Sequence, residues 1–378
     1  MAEQKYYKIA VYAICKNEED YVDKWMTSMW EADYICVLDT GSTDKTYTML
    51  QNYAAQFPGK VIVSQQVFKP WRFDTARNES MKLIPTDADI CICTDLDEIL
   101  TETWAEKLRA VWTDDANVGN YLYAWSHLEN GAPGRVFWYN KVHDNRDNWY
   151  WRFPVHESLT FKGQGKPVNV QVDKDFIMLH HYPNLKTNRS NYLPLLELRA
   201  QEYPDDLYGL VYLAHEYKYQ NLPDKCIEFV EGNLLPRFYA QGDDDMNCIT
   251  DLHMFLGDCY RMKGLDTLAE MHYLAGINAD PHFRDNYLRL GRLYLDHHKP
   301  EDAIEVINRG LKDSRRLFWW LECNTAWSYQ PWDLLCLAYW DIGARETSLA
   351  CAEIAYKYNE ADPRLKENVK QIKDALGL

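Results

Sequence analysis

The sequence lacks an excess of positive charge. It has 41 Lys and Arg residues against 57 Asp and Glu residues, which gives a formal net charge of −16. A surface that neutralises nucleic-acid phosphates or anionic lipids needs the opposite balance. Nucleic acid is therefore disfavoured as a partner, although a local basic groove is compatible with this composition.

Long apolar runs and paired cysteine motifs are also missing. No run of 18 apolar residues could span a bilayer, and the opening MAEQKYYKIA lacks the apolar core of a signal peptide. We therefore expect a cytoplasmic protein with no membrane span. The ten cysteines include no CxxC pair, which disfavours a zinc site and predicts reduced, mostly buried thiols.

The first half of the chain alternates two kinds of segment. The apolar runs KIAVYAIC, DYICVLD and KVIVSQQV are separated by a helix-like EEDYVDKWMTSMW and by a second helix from about Asp44. This βαβ rhythm predicts a parallel sheet covered by helices. With 378 residues, the chain exceeds the usual size of one hydrophobic core, so we expect two domains.

The second half repeats itself. Gly257 aligns with Gly291, Tyr260 with Tyr294 and Ala269 with Ala303, and each pair is 34 residues apart. That is the period of tetratricopeptide repeats, and weaker copies begin near Ala214 and Cys336. We predict an α/β domain over residues 1–204 and an all-helical repeat domain over residues 205–378, whose stacked helix pairs suit a peptide or a second subunit.

The strongest chemical signal is acidic. Asp95, Asp97 and Glu98 directly follow the apolar run DICICT, so two alternate carboxylates can face one cation at the end of a strand. Carboxylates suit Mg²⁺ or Mn²⁺. Taken alone, this short motif is also compatible with a solvated acidic turn.

Two further segments carry polar groups at predicted strand and helix ends. In DTGSTDKT, Gly41 permits a tight turn, Ser42 or Asp44 can cap the next helix, and Asp39 can accept hydrogen bonds from a nucleotide. The alternative is simply a well-formed turn. In WRFDTARNES, the arginines can offset a diphosphate, or they can form ion pairs on a helix face. The candidate residues of this second segment are Arg72, Asp74, Arg77 and Asn78.

In combination, these motifs resemble those of family 2 glycosyltransferases with the GT-A fold. The opening AICKNEE, which contains Asn17 and Glu18, is similar to the first-strand motif of that family, and TDLDE to its DxD motif. The resemblance spans about residues 8–200 and is strongest to members that append tetratricopeptide repeats, including enzymes that glycosylate peptides. It implies a Rossmann-like nucleotide-sugar domain, a divalent cation and a nucleotide-sugar donor, with a UDP-sugar expected.

The same resemblance implies roles for two later motifs. VHESL supplies His156 and Glu157 as catalytic residues, with Glu157 as the base. Independently of the resemblance, Asp147 is the alternative base because it is the acidic side chain close before this motif, and a core histidine is the alternative for His156. A histidine of the HHYP segment joins Asp95 and Asp97 at the metal; His181 is our assignment, and His180 stays open. A proline, Pro183, stands where the family has glycine after His-Tyr. The implied reaction is displacement with inversion at the anomeric carbon.

The acceptor is not readable from these motifs. A peptide or protein side chain is our first expectation, and a lipopolysaccharide-type glycan or a modified nucleobase is the alternative. A different class is a non-catalytic scaffold built on the repeats, which the complete set of acidic and histidine residues opposes.

Aromatic residues cluster in two places. One cluster lies between Trp138 and Phe153, and it can serve either as core or as a ligand surface. The other is LFWWLECNTAWSYQPW, which interrupts the repeats and includes Trp319 and Trp320. An exposed apolar stretch of this size needs a covering surface, so we predict a homodimer through the repeat domain.

Overall fold

The structure is a computed structural model that describes residues 5–127, 131, 133–171, 178–183, 192–242, 246–316 and 321–378. The chain divides into two compact units, Met1–Arg199 and Ala200–Leu378. None of the helices in the described residues combines the length and the apolar composition that a bilayer span requires. All ten cysteines are free, and nine of them are buried.

In the first unit, strands and helices largely alternate at first, and six described strands then follow in succession. Its strands are β1 (Ile9–Cys15), β2 (Tyr34–Asp39), β3 (Val61–Gln65), β4 (Ile90–Cys93), β5 (Glu98–Leu100), β6 (Val118–Ala124), β7 (Val136–Asp144), β8 (Trp149–Arg152), β9 (Ser158–Phe161), β10 (Asn169–Gln171) and β11 (Met178–His181). Its helices are α1 (Val22–Met29), α2 (Thr46–Gln56), α3 (Phe73–Met81) and α4 (Trp104–Val111), and α5 (Tyr192–Glu202) runs across the boundary between the units.

In the described part of the chain, the main sheet has the strand order β3-β2-β1-β4-β7-β6-β11-β5, with β10 also paired to β6. The first four strands of this order are parallel, whereas β7 is antiparallel to both of its neighbours. The predicted parallel βαβ portion is confirmed. The sequence did not predict the antiparallel β7 or the position of β11.

Strand β1 shows why the sheet forms where it does. All seven of its residues are buried, as expected for a strand covered on both faces. Ile9, Val11 and Ala13 belong to the core cluster on one face, and Ala10 and Tyr12 to the cluster on the other. Helix α1 covers the first face with Val22, Trp25, Met26 and Met29, which follow the helical spacing of an amphipathic segment.

A directed chain of buried hydrogen bonds crosses the second face. Trp151 donates from Nε1 to the Tyr12 hydroxyl over 2.9 Å, and Tyr12 is 2.9 Å from His143 Nε2. Nδ1 of His143 lies 2.7 Å from the carbonyl of Asp144. A carbonyl can only accept, so Nδ1 carries the proton and Nε2 accepts from Tyr12. Burial lowers the pKa of His143 to about 4.

This histidine should make the protein less stable in acid. Because the pKa of His143 is lower in the folded state, the unfolded chain binds a proton first as the pH falls below 6.5, and the folding free energy from this group is lost between pH 6.5 and about 4. The free energy of unfolding that is lost over this pH range amounts to roughly 3 kcal/mol. Urea unfolding at pH 7 and pH 5 should give a smaller pH effect in His143→Gln than in the wild type. Equal pH effects would show that His143 does not titrate this way.

The second unit is helical throughout its described elements. These are α6 (Leu207–Tyr219), α7 (Pro223–Phe229), a π-helical segment (Val230–Leu234), α8 (Leu235–Gln241), α9 (Met246–Met262), α10 (Asp266–Ala279), α11 (Arg284–Asp296), α12 (Pro300–Asp313), a 3₁₀ segment (Asn324–Trp327), α13 (Gln330–Asp341), α14 (Arg345–Tyr358) and α15 (Pro363–Leu376). The predicted all-helical repeat region is confirmed.

The 34-residue period is visible in the packing. A Cβ on Gly257 would lie 2.4 Å from the ring of Tyr273, and a Cβ on Gly291 would lie 2.5 Å from Ile307. Both contacts join the first helix of a pair to the second, and both partners are separated by the same period as the glycines. At the turn between paired helices, Gly264 and His298 have φ of 70° and 55°, so this left-handed turn also recurs after 34 residues.

The aromatic insertion is only partly described. Residues 317–320, which include Trp319 and Trp320, lie outside the described residues. Trp327 and Trp332 are half-buried against the core of the second unit, and Arg284 lies 3.7 Å from the centre of the Trp327 ring. The expectation that the whole stretch is exposed is therefore wrong for its described part. The homodimer stays a prediction.

Candidate functional site

The turn after β2 is built around Asp39. This carboxylate is fully buried. Its Oδ1 accepts from the backbone N–H groups of Gly41 and Ser42 at 2.9 Å and from Gln65 Nε2 at 2.8 Å, and its Oδ2 accepts from the Ser42 hydroxyl. Gly41 has φ of 104°, and a Cβ there would meet Val67 at 2.8 Å. These contacts build the turn, and the predicted contact of Asp39 with a nucleotide stays a prediction.

Hydrogen bonds join the turn after β1 to the turn after β2. Asn17 accepts from the Thr43 N–H at 2.8 Å and donates its own N–H to the Ser42 hydroxyl at 2.9 Å. The Glu18 N–H donates to the Thr46 hydroxyl at 2.7 Å. Asp44 accepts from the N–H of Thr46, the first residue of α2, at 2.9 Å. The N-cap of this helix is Lys45, and it makes no side-chain cap hydrogen bond, so neither Ser42 nor Asp44 is the cap.

Most polar groups of α3 bind the protein itself. Arg72 donates from Nε and Nη2 to the two oxygens of Asp74, at 3.0 and 2.8 Å. Asn78 exchanges two 2.8 Å hydrogen bonds with the backbone of Trp151 in β8. The ion-pair alternative therefore describes the contacts of Arg72 and Asp74. Their predicted contacts with a donor, and that of Asn78, are untested.

Arg77 is a buried cation with three partners. Its side chain is 5% exposed. It donates from Nη2 to Asp95 Oδ1 at 2.9 Å, from Nε to Glu157 Oε1 at 2.5 Å, and from Nη1 to Cys93 Sγ at 3.1 Å. Burial would lower the pKa of Arg77, but Asp95 and Glu157 outweigh it and raise that pKa.

A second buried cation, Lys141, lies behind the acidic motif. Its Nζ is 3.5 Å from Asp95 Oδ2 and 3.6 Å from Glu98 Oε1. Burial would lower the pKa of Lys141, but Glu98 and Asp95 raise it above its usual value. Partial burial would raise the pKa of Asp95, but Arg77 and Lys141 hold it well below its usual range. Asp95 is therefore an ionised carboxylate held by two cations.

The other carboxylate of the motif, Asp97, faces a histidine. Strand β11 pairs with β5 so that His181 stands opposite Glu98, and His181 Nε2 lies 3.4 Å from Asp97 Oδ2. His181 Nδ1 is 3.0 Å from the carbonyl of Trp125. The Nδ1–H donates to that carbonyl, which leaves Nε2 directed at Asp97. Metal-binding histidines commonly donate their other ring N–H to a carbonyl in this way.

His180 has a different neighbour. Its Nδ1 is 3.0 Å from His127 Nε2. Adjacent residues of a strand point to opposite faces, so only one of the two histidines can reach the acidic motif from β11. That residue is His181.

The donor set at Asp97 fits a divalent cation only in part. Within the described ranges, no three His, Cys, Asp or Glu side chains are grouped as a complete metal site. Mg²⁺ commonly takes one or two carboxylates and completes its shell with water and substrate phosphates. Asp97 supplies one such carboxylate, with His181 Nε2 beside it. Asp95, the third predicted ligand, is already held by Arg77 and Lys141.

The predicted base lies in the turn between β8 and β9. Glu157 has an 11% exposed side chain and is bound through Oε1 to Arg77. His156 precedes it with φ of 48°, and its carbonyl accepts from Arg199 Nη1 at 3.0 Å. The alternative base, Asp147, is 95% exposed and pairs with Lys162 at 2.7 Å. Of the two carboxylates, only Glu157 is connected to the acidic motif.

The aromatic cluster is divided between core and surface, and its role as a ligand surface stays a prediction. Trp149, Trp151 and Phe153 are buried core, whereas Trp138 and Tyr150 are exposed.

The sequence did not single out Lys141 as a site residue. The available signal was a lone lysine inside the segment VFWYNKVHD. In the structure this segment is strand β7, and its last four residues, which include Lys141, are buried.

Comparisons with known proteins give a family match for part of the chain. Residues 10–162 match the family model described as Glycosyl transferase family 2. Over 101 residues, the chain is 31% identical to the lipopolysaccharide core biosynthesis glycosyltransferase LpsC of Rhizobium meliloti (strain 1021), a match that covers 26% of this chain and 35% of that protein. The chain thus spans about a third of the length of this curated relative.

Solved structures also resemble part of the chain. MamA of Desulfovibrio magneticus RS-1 is 12% identical, with 46% of this chain and 86% of that chain covered and a TM-score of 0.36. A thermophilic tetratricopeptide-repeat protein of Thermus thermophilus is 18% identical, with 49% and 89% covered and a TM-score of 0.35. Residues 10–162, within the first unit, are thus similar to glycosyl transferase family 2.

Proposed function

We propose that the protein is a metal-dependent, inverting glycosyltransferase that moves a sugar from a nucleotide-sugar donor, expected to be a UDP-sugar, to an acceptor. The observation that carries the proposal is the pairing of Asp97 with His181 at 3.4 Å, beside an acidic motif that Arg77 links to Glu157. The family match over residues 10–162 supports the reaction class. We keep the proposed catalytic boundary at residue 204.

The cation site is assigned to Asp97 and His181, with Asp95 beside them. When bound, Mn²⁺ or Mg²⁺ supplies positive charge that offsets the negative charge of the departing nucleoside diphosphate. Other residues of the chain position the ligands of this cation site. The Trp125 carbonyl orients His181, and Arg77 and Lys141 keep Asp95 ionised.

Glu157 is assigned as the base. Its Oε1 accepts from Arg77, so Oε2 is the atom that takes the proton of the acceptor nucleophile. The acceptor oxygen, nitrogen or sulfur then attacks the anomeric carbon as the bond to the diphosphate breaks, which inverts the configuration there. His156, the neighbouring residue, is assigned to the acceptor side of the same turn.

The acceptor is proposed to be a peptide or protein side chain, which the repeated helix pairs of the second unit would suit. A glycan acceptor is the second candidate, because LpsC, the relative named above, is a lipopolysaccharide core biosynthesis enzyme. A cytoplasmic location belongs to the same proposal and agrees with ten free cysteines.

The proposal is tested with the purified full chain, MnCl₂ and four separate donors: UDP-glucose, UDP-galactose, UDP-N-acetylglucosamine and GDP-mannose. Many transferases release nucleoside diphosphate slowly to water, so at least one donor should be hydrolysed above the rate without protein, and EDTA should stop it. If no donor is hydrolysed and none raises the thermal stability of the protein, the proposal is wrong and the protein is a non-catalytic scaffold. A positive donor is then tested with peptides and with oligosaccharides.

A further inference from the structure

The side chain of Arg77 joins two parts of the site that are far apart in sequence. Asp95 follows β4, and Glu157 lies in the turn after β8, yet both carboxylates accept hydrogen bonds from this one guanidinium. The cation is fixed in turn by Cys93 Sγ at 3.1 Å and by the Trp151 ring, whose centre is 5.2 Å away. Its 5% exposure leaves little room for movement.

The turn that carries Glu157 is held at its backbone but needs Arg77 to orient the carboxylate. The carbonyl of Pro154 accepts from the Phe73 N–H at 3.0 Å, and those of Val155 and His156 accept from Arg199 Nη1 at 3.1 and 3.0 Å. These bonds fix the path of the chain. A carboxylate on a two-methylene stem still rotates, and the hydrogen bond to Arg77 Nε sets its direction.

A guanidinium is suited to this task because it is planar. Its N–H groups lie in one plane at fixed angles, so the direction of one bound carboxylate determines the direction available to the other. A lysine ammonium would supply the same charge without this constraint.

We propose that Arg77 is a positioning residue that holds Glu157 in register with the acidic motif, and that it acts on catalysis through Glu157 rather than by binding the donor's diphosphate. This inference rests on the proposed function. The competing outcome is the one expected from the sequence, in which Arg77 contacts the diphosphate directly.

A double-mutant cycle separates the two outcomes. The substrate is the nucleotide sugar that the wild type hydrolyses fastest, with MnCl₂ present. Arg77→Lys should lower kcat by at least about 30-fold and change KM for the nucleotide sugar by less than about 3-fold. In the Glu157→Gln background, Arg77→Lys should change kcat by less than about 3-fold, because residues that act through one another are not additive.

The matched control is Arg109→Lys. Arg109 forms an ion pair of the same kind, with its Nη2 2.8 Å from Asp33 Oδ2, but Asp33 lies before β2, at the amino ends of the parallel strands. Arg109→Lys should leave kcat and KM near their wild-type values, and it measures how much the loss of a comparable ion pair affects thermal stability.

A second measurement does not depend on how a lysine packs. In Arg77→Ala, about 10 mM guanidinium chloride should restore hydrolysis at least about 10-fold, since the free ion can occupy the vacated position and donate to both carboxylates. Sodium chloride at the same concentration should not. A rise of 10-fold or more in KM for Arg77→Lys, additive losses in the cycle, or failure of guanidinium to restore hydrolysis would overturn the inference while leaving the proposed function intact. Absence of hydrolysis by the wild type would overturn both.

Discussion

Glu157→Gln is expected to bind the nucleotide sugar as the wild type does and to lose at least about 100-fold in kcat, the lower part of the range for a missing general base. The amide preserves the shape of the side chain and can still accept from Arg77 through its carbonyl oxygen. It cannot take a proton from the acceptor. Steady-state hydrolysis of the donor, together with calorimetric binding of the nucleotide sugar in MnCl₂, measures both parts of this expectation.

Asp147→Asn is the control for this experiment. Asp147 was the alternative base, and its side chain is 95% exposed in the turn before β8. Its amide variant should turn over donor at nearly the wild-type rate. Normal turnover in Glu157→Gln together with a large loss in Asp147→Asn would exchange the two assignments.

Asp97→Ala is expected to abolish the metal dependence of donor binding. In MnCl₂, its affinity for UDP or for the donor should fall to that of the wild type in EDTA. We expect a loss of more than about 100-fold, because removing even a residue that only hydrogen-bonds to a metal ligand typically lowers metal affinity 10–100-fold. The reason is electrostatic: Arg77 and Lys141 are already paired with Asp95 and Glu98, so the cation proposed at Asp97 would be the charge that offsets the diphosphate. Calorimetry with and without EDTA gives both affinities.

Glu102→Ala provides the matched loss of one carboxylate. Glu102 is exposed and lies two residues after β5, so its removal changes the net charge equally but leaves Asp97 and His181 in place. Its affinity in MnCl₂ should match the wild type. Affinity in the wild type that EDTA does not change, and that Asp97→Ala does not lower, would contradict the cation assignment.

The parts of the fold that could be predicted are those coded by local pattern. The continuous apolar run of β1, the helical spacing of Val22, Trp25, Met26 and Met29, and the 34-residue period of the glycines each depend on residues close together in sequence. The acidic motif was located for the same reason: Asp95 and Asp97 directly follow a buried strand.

The contacts within the site depend on pairing between distant strands, and the sequence could not supply them. His180 and His181 are equivalent until β11 is known to pair with β5 in a particular register, because the register decides which ring faces Asp97. The sequence offered Arg77 as a partner for a diphosphate and did not single out Lys141. Their contacts with Asp95 arise because α3 and β7 bring them against it.

The position of β11 has a consequence for how the protein is made. Strand β5 finds its partner in β11, and β11 in turn pairs with β6. A chain emerging from the ribosome therefore exposes Asp97 and Glu98 long before the strand that carries His181 is available. Non-local pairings of this kind form slowly, and domains generally fold as units during synthesis. We therefore expect the pairing of β11 with β5, beside Asp97 and Glu98, to form last in the first unit. A nascent chain released before residue 178 should lack this pairing.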